Sequence, residues 1–220
     1  QIQISIVIPI YNESESIREL FLKLEVVLDK INKTYEIIFI DDGSNDKTFS
    51  ILQELSEKDE RLKAVQFRRN FGKSAALTAG FERAQGDFII TMDGDLQDDP
   101  EEIPHFLEKS KEGYDLVVGW KAERKDPIGK KIYSRIFNKL AAWLTGAKVH
   151  DSNCCFKIFR NEVIKSKNIR LHGELHRYIP ALAHWQGYKI AEIKVKHYPR
   201  KYGKSKYGIT RLFKGLLDLI

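Results

Sequence analysis

Apolar and polar positions in the first half of the chain switch back and forth between two periods. Residues 4–8 are apolar except for Ser5, the pattern of a strand covered on both faces. Ile17, Leu20, Phe21, Leu24, Val27, Leu28 and Ile31 then recur three and four apart, as on one face of a helix. The alternation continues with a strand over 36–40 and a helix over 48–55, which follows the turn residues Gly43, Ser44, Asn45 and Asp46. A strand over 62–67, a helix over 73–84 and a strand over 88–92 come next. The following helix is marked at its start by Asp99 as N-cap, Pro100 at the first helical position and Glu101 and Glu102 in the first turn. Residues 115–119 close the series as a fifth strand. Strict alternation predicts right-handed βαβ units in an α/β fold, a mostly parallel sheet with helices on both faces. Ligands in such a fold gather at the carboxyl ends of the strands.

Beyond residue 120 the pattern loosens. It predicts a basic amphipathic helix over 128–145, a short strand over 155–159, a helix over 174–185 and a strand over 188–195. Residues 200–207 are basic and punctuated by Gly203, hence a loop. Over 207–220, Ile209, Leu212, Phe213, Leu216, Leu217 and Ile220 share one face. Such a helix either lies on a membrane or packs against the body of the protein. No internal repeat is present.

At 220 residues, with 42% hydrophobic and 31% charged, the chain suits one domain and needs no disulfide or metal to fold. Collagen, coiled coil, low-complexity disorder and a cysteine-rich secreted scaffold are excluded. No apolar run approaches the roughly 20 residues that span a bilayer, and no signal peptide opens the chain. The chain begins at Gln1 and stops at Ile220 in mid-pattern, as expected of a piece of a longer protein that continues into membrane segments. Cys154 and Cys155 are neighbours, with Cα atoms about 3.8 Å apart, closer than the ~4.4 Å an ordinary disulfide needs. Free thiols fit a reducing compartment.

Charge changes the picture more. The net charge is +6, yet residues 1–120 carry 14 Lys and Arg against 24 Asp and Glu, and the remainder carries 23 against 7. Between Lys194 and Lys214 there are eight bases and no acid. One part of the chain is suited to cations and the other to anions, either phosphates of a small substrate or an anionic membrane surface. Nucleic acid is not expected, because no zinc-finger spacing, basic zipper or RNP aromatic pattern occurs.

The richest chemistry is Asp93-Gly94-Asp95-Leu96-Gln97, directly after the fourth predicted strand. Two carboxylates one residue apart, with a glycine between them for a tight bend, can converge on one hard cation. Mg²⁺ takes only one or two protein carboxylates and fills its other positions with water and phosphate oxygens. Alone, the pair would equally be a solvated turn; its place after a strand favours metal. Tyr11 and Glu13 after the first strand, and Asp41-Asp42-Gly43-Ser44 after the second, sit at the same edge and can form a nucleoside pocket. His172 and His176 do not have the H-E-x-x-H spacing of a zinc helix, and Lys73 lacks the first glycine of a P-loop.

Five segments in order carry a resemblance: Ile8-Pro9-Ile10-Tyr11-Asn12-Glu13, Asp41-Asp42-Gly43-Ser44, Arg69-Asn70-Phe71-Gly72-Lys73, Asp93-Gly94-Asp95-Leu96-Gln97, and Arg200 with Gly203-Lys204-Ser205-Lys206. Together they resemble the inverting family 2 glycosyltransferases of GT-A (Rossmann-like) fold. The subgroup they resemble contains dolichol-phosphate mannose synthase and bacterial undecaprenyl-phosphate glucosyltransferases. The resemblance implies that Pro9, Tyr11, Glu13, Asp41, Asp42, Lys73 and Asp93 hold the nucleotide, and that Asp93, Asp95 and Gln97 ligate Mg²⁺ or Mn²⁺. Lys121, Lys130, Ser134, Arg200, Ser205 and Lys206 match positions that hold phosphate. It further implies a catalytic domain over 1–206, with a nucleotide-sugar half to residue 120 and an acceptor half after it. A basic juxtamembrane helix over 207–220 then places the enzyme at the cytoplasmic face of the membrane, with homo-oligomers compatible. Relatives often have Arg where Lys121 and Lys130 stand, which removes bidentate phosphate recognition there. Some bacterial relatives have Asp where Cys155 stands, leaving Asp151 as the nearby candidate base.

The expected reaction is transfer of a hexose from a nucleotide-sugar to a polyprenyl phosphate, with Asp95 and Asp151 as catalytic candidates. A phosphomonoester is already anionic near pH 7, so it needs no base. Transfer to a sugar hydroxyl in polysaccharide synthesis is the alternative. It needs a base, and the Gln-x-x-Arg-Trp motif of processive members is absent from the chain. A nucleotide-sugar-binding protein without turnover is a third reading, and the intact Asp93/Asp95 pair speaks against it.

Overall fold

Strands and helices alternate as the periodicity predicts, most strands running a residue or two past their apolar runs. The structure is a computed structural model and describes residues 1–122, 145–147, 149–166, 169 and 171–203. In chain order the elements are β1 (Ile4–Ile10), α1 (Ile17–Ile31), β2 (Tyr35–Asp41), α2 (Thr48–Lys58), β3 (Leu62–Gln66), α3 (Lys73–Arg83) and β4 (Phe88–Thr91). They continue with α4 (Ile103–Lys111), β5 (Leu116–Trp120), β6 (Lys157–Arg160), α5 (Asn161–Lys165), α6 (Ile179–Trp185) and β7 (Ile190–Lys194).

These strands form one seven-stranded sheet in the order β3-β2-β1-β4-β6-β5-β7. Every pair is parallel except those of β6, which runs antiparallel to both β4 and β5. The carboxyl ends of the six parallel strands therefore share an edge with the amino end of β6. That geometry collects residues 11–13, 42, 93–98, 121, 154–156 and 195–200 at one place. The chain winds outward from β1 to β3 and then returns to β4 on the other side of β1. The crevice of such a reversal opens between the ends of β1 and β4.

The core explains why the elements form where they do. β2 is buried along its whole length, and α1 buries Ile17, Leu20, Phe21, Leu24, Val27 and Leu28. Fully burying each such side chain contributes ~1.5–3 kcal/mol before conformational entropy is set against it. Asn32 ends α1 in the left-handed conformation at φ 53°, which Asn tolerates. In α3, a Cβ on Gly80 would come within 2.3 Å of Val7 Cγ1, so only glycine lets this helix settle on β1.

Two helices depart from expectation, each beside a proline. Asp99 caps as predicted, its Oδ1 accepting from the Glu101 N–H at 3.1 Å, but residues Pro100–Glu102 form a 3₁₀ turn before α4 begins at Ile103. The single helix predicted over 174–185 is instead a 3₁₀ turn, Leu175–Tyr178, followed by α6. Pro180 lies in the first turn of α6 and has no N–H for the turn before it. The predicted helix over 128–145, apart from Thr145, and that over 207–220 lie outside the described residues. Among the described residues, no helix is long and apolar enough to cross a membrane.

Candidate functional site

The loops after β1 and β2 brace one another. Asn12 adopts φ 51°, its N–H donates to Ser44 Oγ at 2.8 Å, and its Oδ1 accepts from the Asn45 N–H at 2.8 Å. Glu13 N–H donates to Thr48 Oγ1 at 2.9 Å. Asp41 is fully buried and closes its own turn, accepting from the Ser44 N–H at 3.0 Å and from the Ser44 hydroxyl. Asp42 reaches the other way and accepts from the N–H groups of Phe71 (2.7 Å) and Gly72 (2.9 Å). It thereby shapes the segment that launches α3 with Lys73 at its first position.

The loop after β4 is tightly built. A Cβ on Gly94 would meet Ile10 Cγ2 at 2.5 Å, and the Gly94 carbonyl accepts from Ser16 Oγ at 2.8 Å. Leu96 sits at φ 62°, a left-handed conformation that costs a side-chain-bearing residue of order 1–3 kcal/mol. The bend turns Asp95 back so that its Oδ1 accepts from the Gln97 N–H at 3.1 Å, while Asp98 Oδ2 accepts from the Asp93 N–H at 3.2 Å.

Asp93, Asp95 and Asp98 of this loop each meet a cation. Lys73 Nζ lies 2.5 Å from Asp93, Arg200 Nη2 lies 2.6 Å from Asp95, and Lys121 Nζ lies 2.7 Å from Asp98. Enclosure alone would raise the Asp93 carboxyl, but the ammonium groups of Lys73 and Lys121 hold it well below the usual carboxylate range. Asp95 goes the other way: burial first, and the charge of Asp93 second, push it up to about 6 despite Arg200. Burial would lower Lys121, and Asp98 beside it raises it instead.

A second layer lies behind these groups. Cys154 and Cys155 are buried, and burial pushes both thiols up to about 12. Both are free, as expected. Lys157 is buried beside them, its ammonium donating to the Cys154 carbonyl. His176 Nδ1 lies 3.0 Å from Ser74 Oγ, which also accepts from the His176 N–H at 3.2 Å. Burial, then Lys73, keep this imidazole neutral. His176 therefore braces the start of α3.

Pro9, Tyr11, Glu13, Asp42, Lys73, Asp93, Asp95 and Arg200 line one cavity of about 380 Å³, joined by Asn70, Gly72 and Gly94. Four residues expected at the site lie outside this lining. Asp41 is spent on its turn, and Gln97 donates its amide to the Tyr198 carbonyl at 3.1 Å. Lys121 is turned inward onto Asp98, and Asp151 is 2% exposed in a turn whose N–H groups donate to Glu192. Lys130, Ser134, Ser205 and Lys206 lie outside the described residues. Sequence reasoning missed Ser16 and Asp98, and weighed His176 for a metal or acceptor role but not for its contact with Ser74; the third acid of the run 93–98 was the one signal that could have shown Asp98.

The donor set suits a divalent ion. Asp93 and Asp95 are hard oxygen donors on one bend, each held opposite a cation. Among the described residues, no group of three or more His, Cys, Asp or Glu side chains is arranged to hold a metal. A two-carboxylate site is what Mg²⁺ uses when phosphate oxygens complete its shell.

Comparison with known proteins gives the family and the fold. The model of the family "Glycosyl transferase family 2" matches residues 5–166. The undecaprenyl-phosphate 4-deoxy-4-formamido-L-arabinose transferase of Edwardsiella ictaluri is 39% identical over 218 residues, covering 99% of this chain and 66% of that protein. The dodecaprenyl-phosphate galacturonate synthase of Rhizobium johnstonii is 40% identical, covering 100% of this chain and 66% of that protein. The chain thus spans just under two thirds of the length of these curated relatives. Glucosyl-3-phosphoglycerate synthase from Mycobacterium tuberculosis, solved with Mn²⁺, UDP and phosphoglyceric acid, superposes with a TM-score of 0.71 at 18% identity, covering 92% of this chain and 72% of that one. At that identity the likeness speaks for the fold, which is the GT-A arrangement.

Proposed function

The chain belongs to glycosyl transferase family 2, and from that premise we propose that it transfers a sugar from a nucleotide-sugar to a polyprenyl phosphate at a membrane surface, inverting the anomeric centre. The observation that carries the reading is the single cavity that unites Tyr11, Glu13 and Asp42 with Lys73, Asp93, Asp95 and Arg200. The first three present an aromatic wall and carboxylate acceptors to a nucleoside; the others face its diphosphate. The names of the two relatives, both acting on polyprenyl phosphates, support the acceptor class.

Asp93 and Asp95, with Gln97 beside them, would hold Mg²⁺ or Mn²⁺, which when bound supplies Lewis-acid stabilisation of the leaving diphosphate. Lys73 and Lys121 keep Asp93 ionised for that task. Arg200 adds donors for charge that grows on the diphosphate as the glycosidic bond breaks. An acceptor phosphate oxygen attacks the anomeric carbon from the opposite face. That oxygen is anionic already, so the reaction proceeds without a general base, and buried Asp151 has no part in it. Residues 1–120 serve the donor, and residues 121–206, with Lys130, Ser134, Ser205 and Lys206, bring positive charge to the acceptor. Lys121 acts from behind through Asp98.

Radiolabelled sugar transfer tests this. With Mg²⁺ and a panel of nucleotide-sugars, label enters butanol-extractable lipid, and Asp95→Asn lowers the rate at least about 100-fold, the size of effect seen when a stabiliser of developing charge is lost. Label found only in water-soluble glycan would overturn the acceptor assignment.

A further inference from the structure

Arg200 is held inside the carboxylate site by structure on both sides of it. Before it, His197 bridges antiparallel to Asp98, and the Tyr198 N–H donates to the Gln97 carbonyl at 2.9 Å. Gln97 Nε2 donates back to the Tyr198 carbonyl at 3.1 Å, and the Tyr198 hydroxyl donates to Asp99 at 3.2 Å. After it, Lys201 Nζ and the Tyr202 hydroxyl both reach Glu19 of α1, at 2.6 and 3.3 Å. Between these anchors the guanidinium spans the cavity, with Nη2 2.6 Å from Asp95 Oδ2 and Nη1 3.1 Å from Glu13 Oε1, its side chain 17% exposed.

A donor at that distance already engages a lone pair of the carboxylate oxygen that a hard cation needs, and the guanidinium's charge repels an arriving ion. We infer that Arg200 is an internal counter-ion that a divalent cation must displace, so that metal entry is a cation exchange at Asp95. The inference rests on the metal role proposed for Asp93 and Asp95. It follows that metal and nucleotide bind cooperatively. The displaced guanidinium gains a new anion only when a diphosphate arrives, so metal alone pays the cost of separating Arg200 from Asp95 and Glu13. An Arg200 that served only as a phosphate ligand would leave the affinity for free metal untouched.

The experiment is Mn²⁺ binding to the nucleotide-free full chain, read from the electron paramagnetic resonance signal of unbound Mn²⁺. Arg200→Ala is expected to bind Mn²⁺ about tenfold tighter than wild type. Glu19→Gln, which loosens the downstream anchor without touching the cavity, is expected to move in the same direction by a smaller factor. An Arg200→Ala protein that melts like wild type and binds Mn²⁺ no tighter would overturn the exchange. Asp95→Asn is expected to lose tight binding in both backgrounds; if it retains it, the metal site itself is misplaced, whatever sugar transfer shows.

Discussion

Asp95 is ionised at a cost in the empty protein. Burial and the nearby charge of Asp93 push its carboxyl up to about 6, above an unfolded value near 3.9. The folded chain therefore binds a proton between about pH 4 and 6 that the unfolded chain does not. The cost of the ionised form is fully present above pH 6 and is gone below about pH 4. Metal-free Asp95→Asn is expected to melt higher than wild type at pH 7.5, by about 2–6 °C for a chain of this size, with the gap closing near pH 4. A lower melting temperature at pH 7.5 would contradict this account of the site. Individual residues were legible where chemistry and spacing coincide, as in Asp93 and Asp95, which line one cavity. They were not legible where the role depends on a partner far along the chain. Asp41 and Asp42 are adjacent acids, yet one closes a turn and the other shapes the launch of α3. Only the side each faces separates them, and the pair Ser74 and His176 is 102 residues apart.

At the level of elements, the fit of α3 on β1 depends on an absent side chain. An alanine Cβ at position 80 would stand 2.3 Å from Val7 Cγ1. Overpacking of that kind costs about 1–3 kcal/mol, against the roughly 1 kcal/mol that alanine gains over glycine as a helix former, so the clash wins. Gly80→Ala should lower stability in urea denaturation, and in a Val7→Ala background the same change should stabilise. Equal effects in both backgrounds would mean the helix does not rest on Val7. Period alone was enough for the five alternating strands and for α1, because a doubly covered strand and a one-sided helix leave different apolar spacings. It could not show that β6 runs antiparallel and inserts between β4 and β5, since Ile158 and Phe159 are buried whichever way the strand points. Nor could it split residues 174–185 into two turns of different pitch, an effect of Pro180.

Across the whole molecule, charge is sorted as the fold is. The acidic first half carries the carboxylate site, and the proposed function assigns the excess of bases after residue 120, 23 against 7 acids, to phosphates and anionic lipid, apart from inward-facing Lys121 and Lys157. Juxtamembrane bases contribute about 1 kcal/mol each near a charged bilayer, and salt screens them within roughly 8–10 Å. The chain should therefore sediment with vesicles of 30% phosphatidylglycerol in low salt, weakly with neutral phosphatidylcholine, and be released by raised salt. Equal binding to both vesicles would argue against an electrostatic approach to the acceptor. The convergence of strand ends and loops on one cavity makes a single crystallographic measurement decisive. In crystals soaked with Mn²⁺ and a nucleoside diphosphate, the account predicts an anomalous peak between Asp93 and Asp95, with the base against Tyr11 and Arg200 moved off Asp95. Manganese and nucleotide found together elsewhere, with Arg200 still on Asp95, would contradict it.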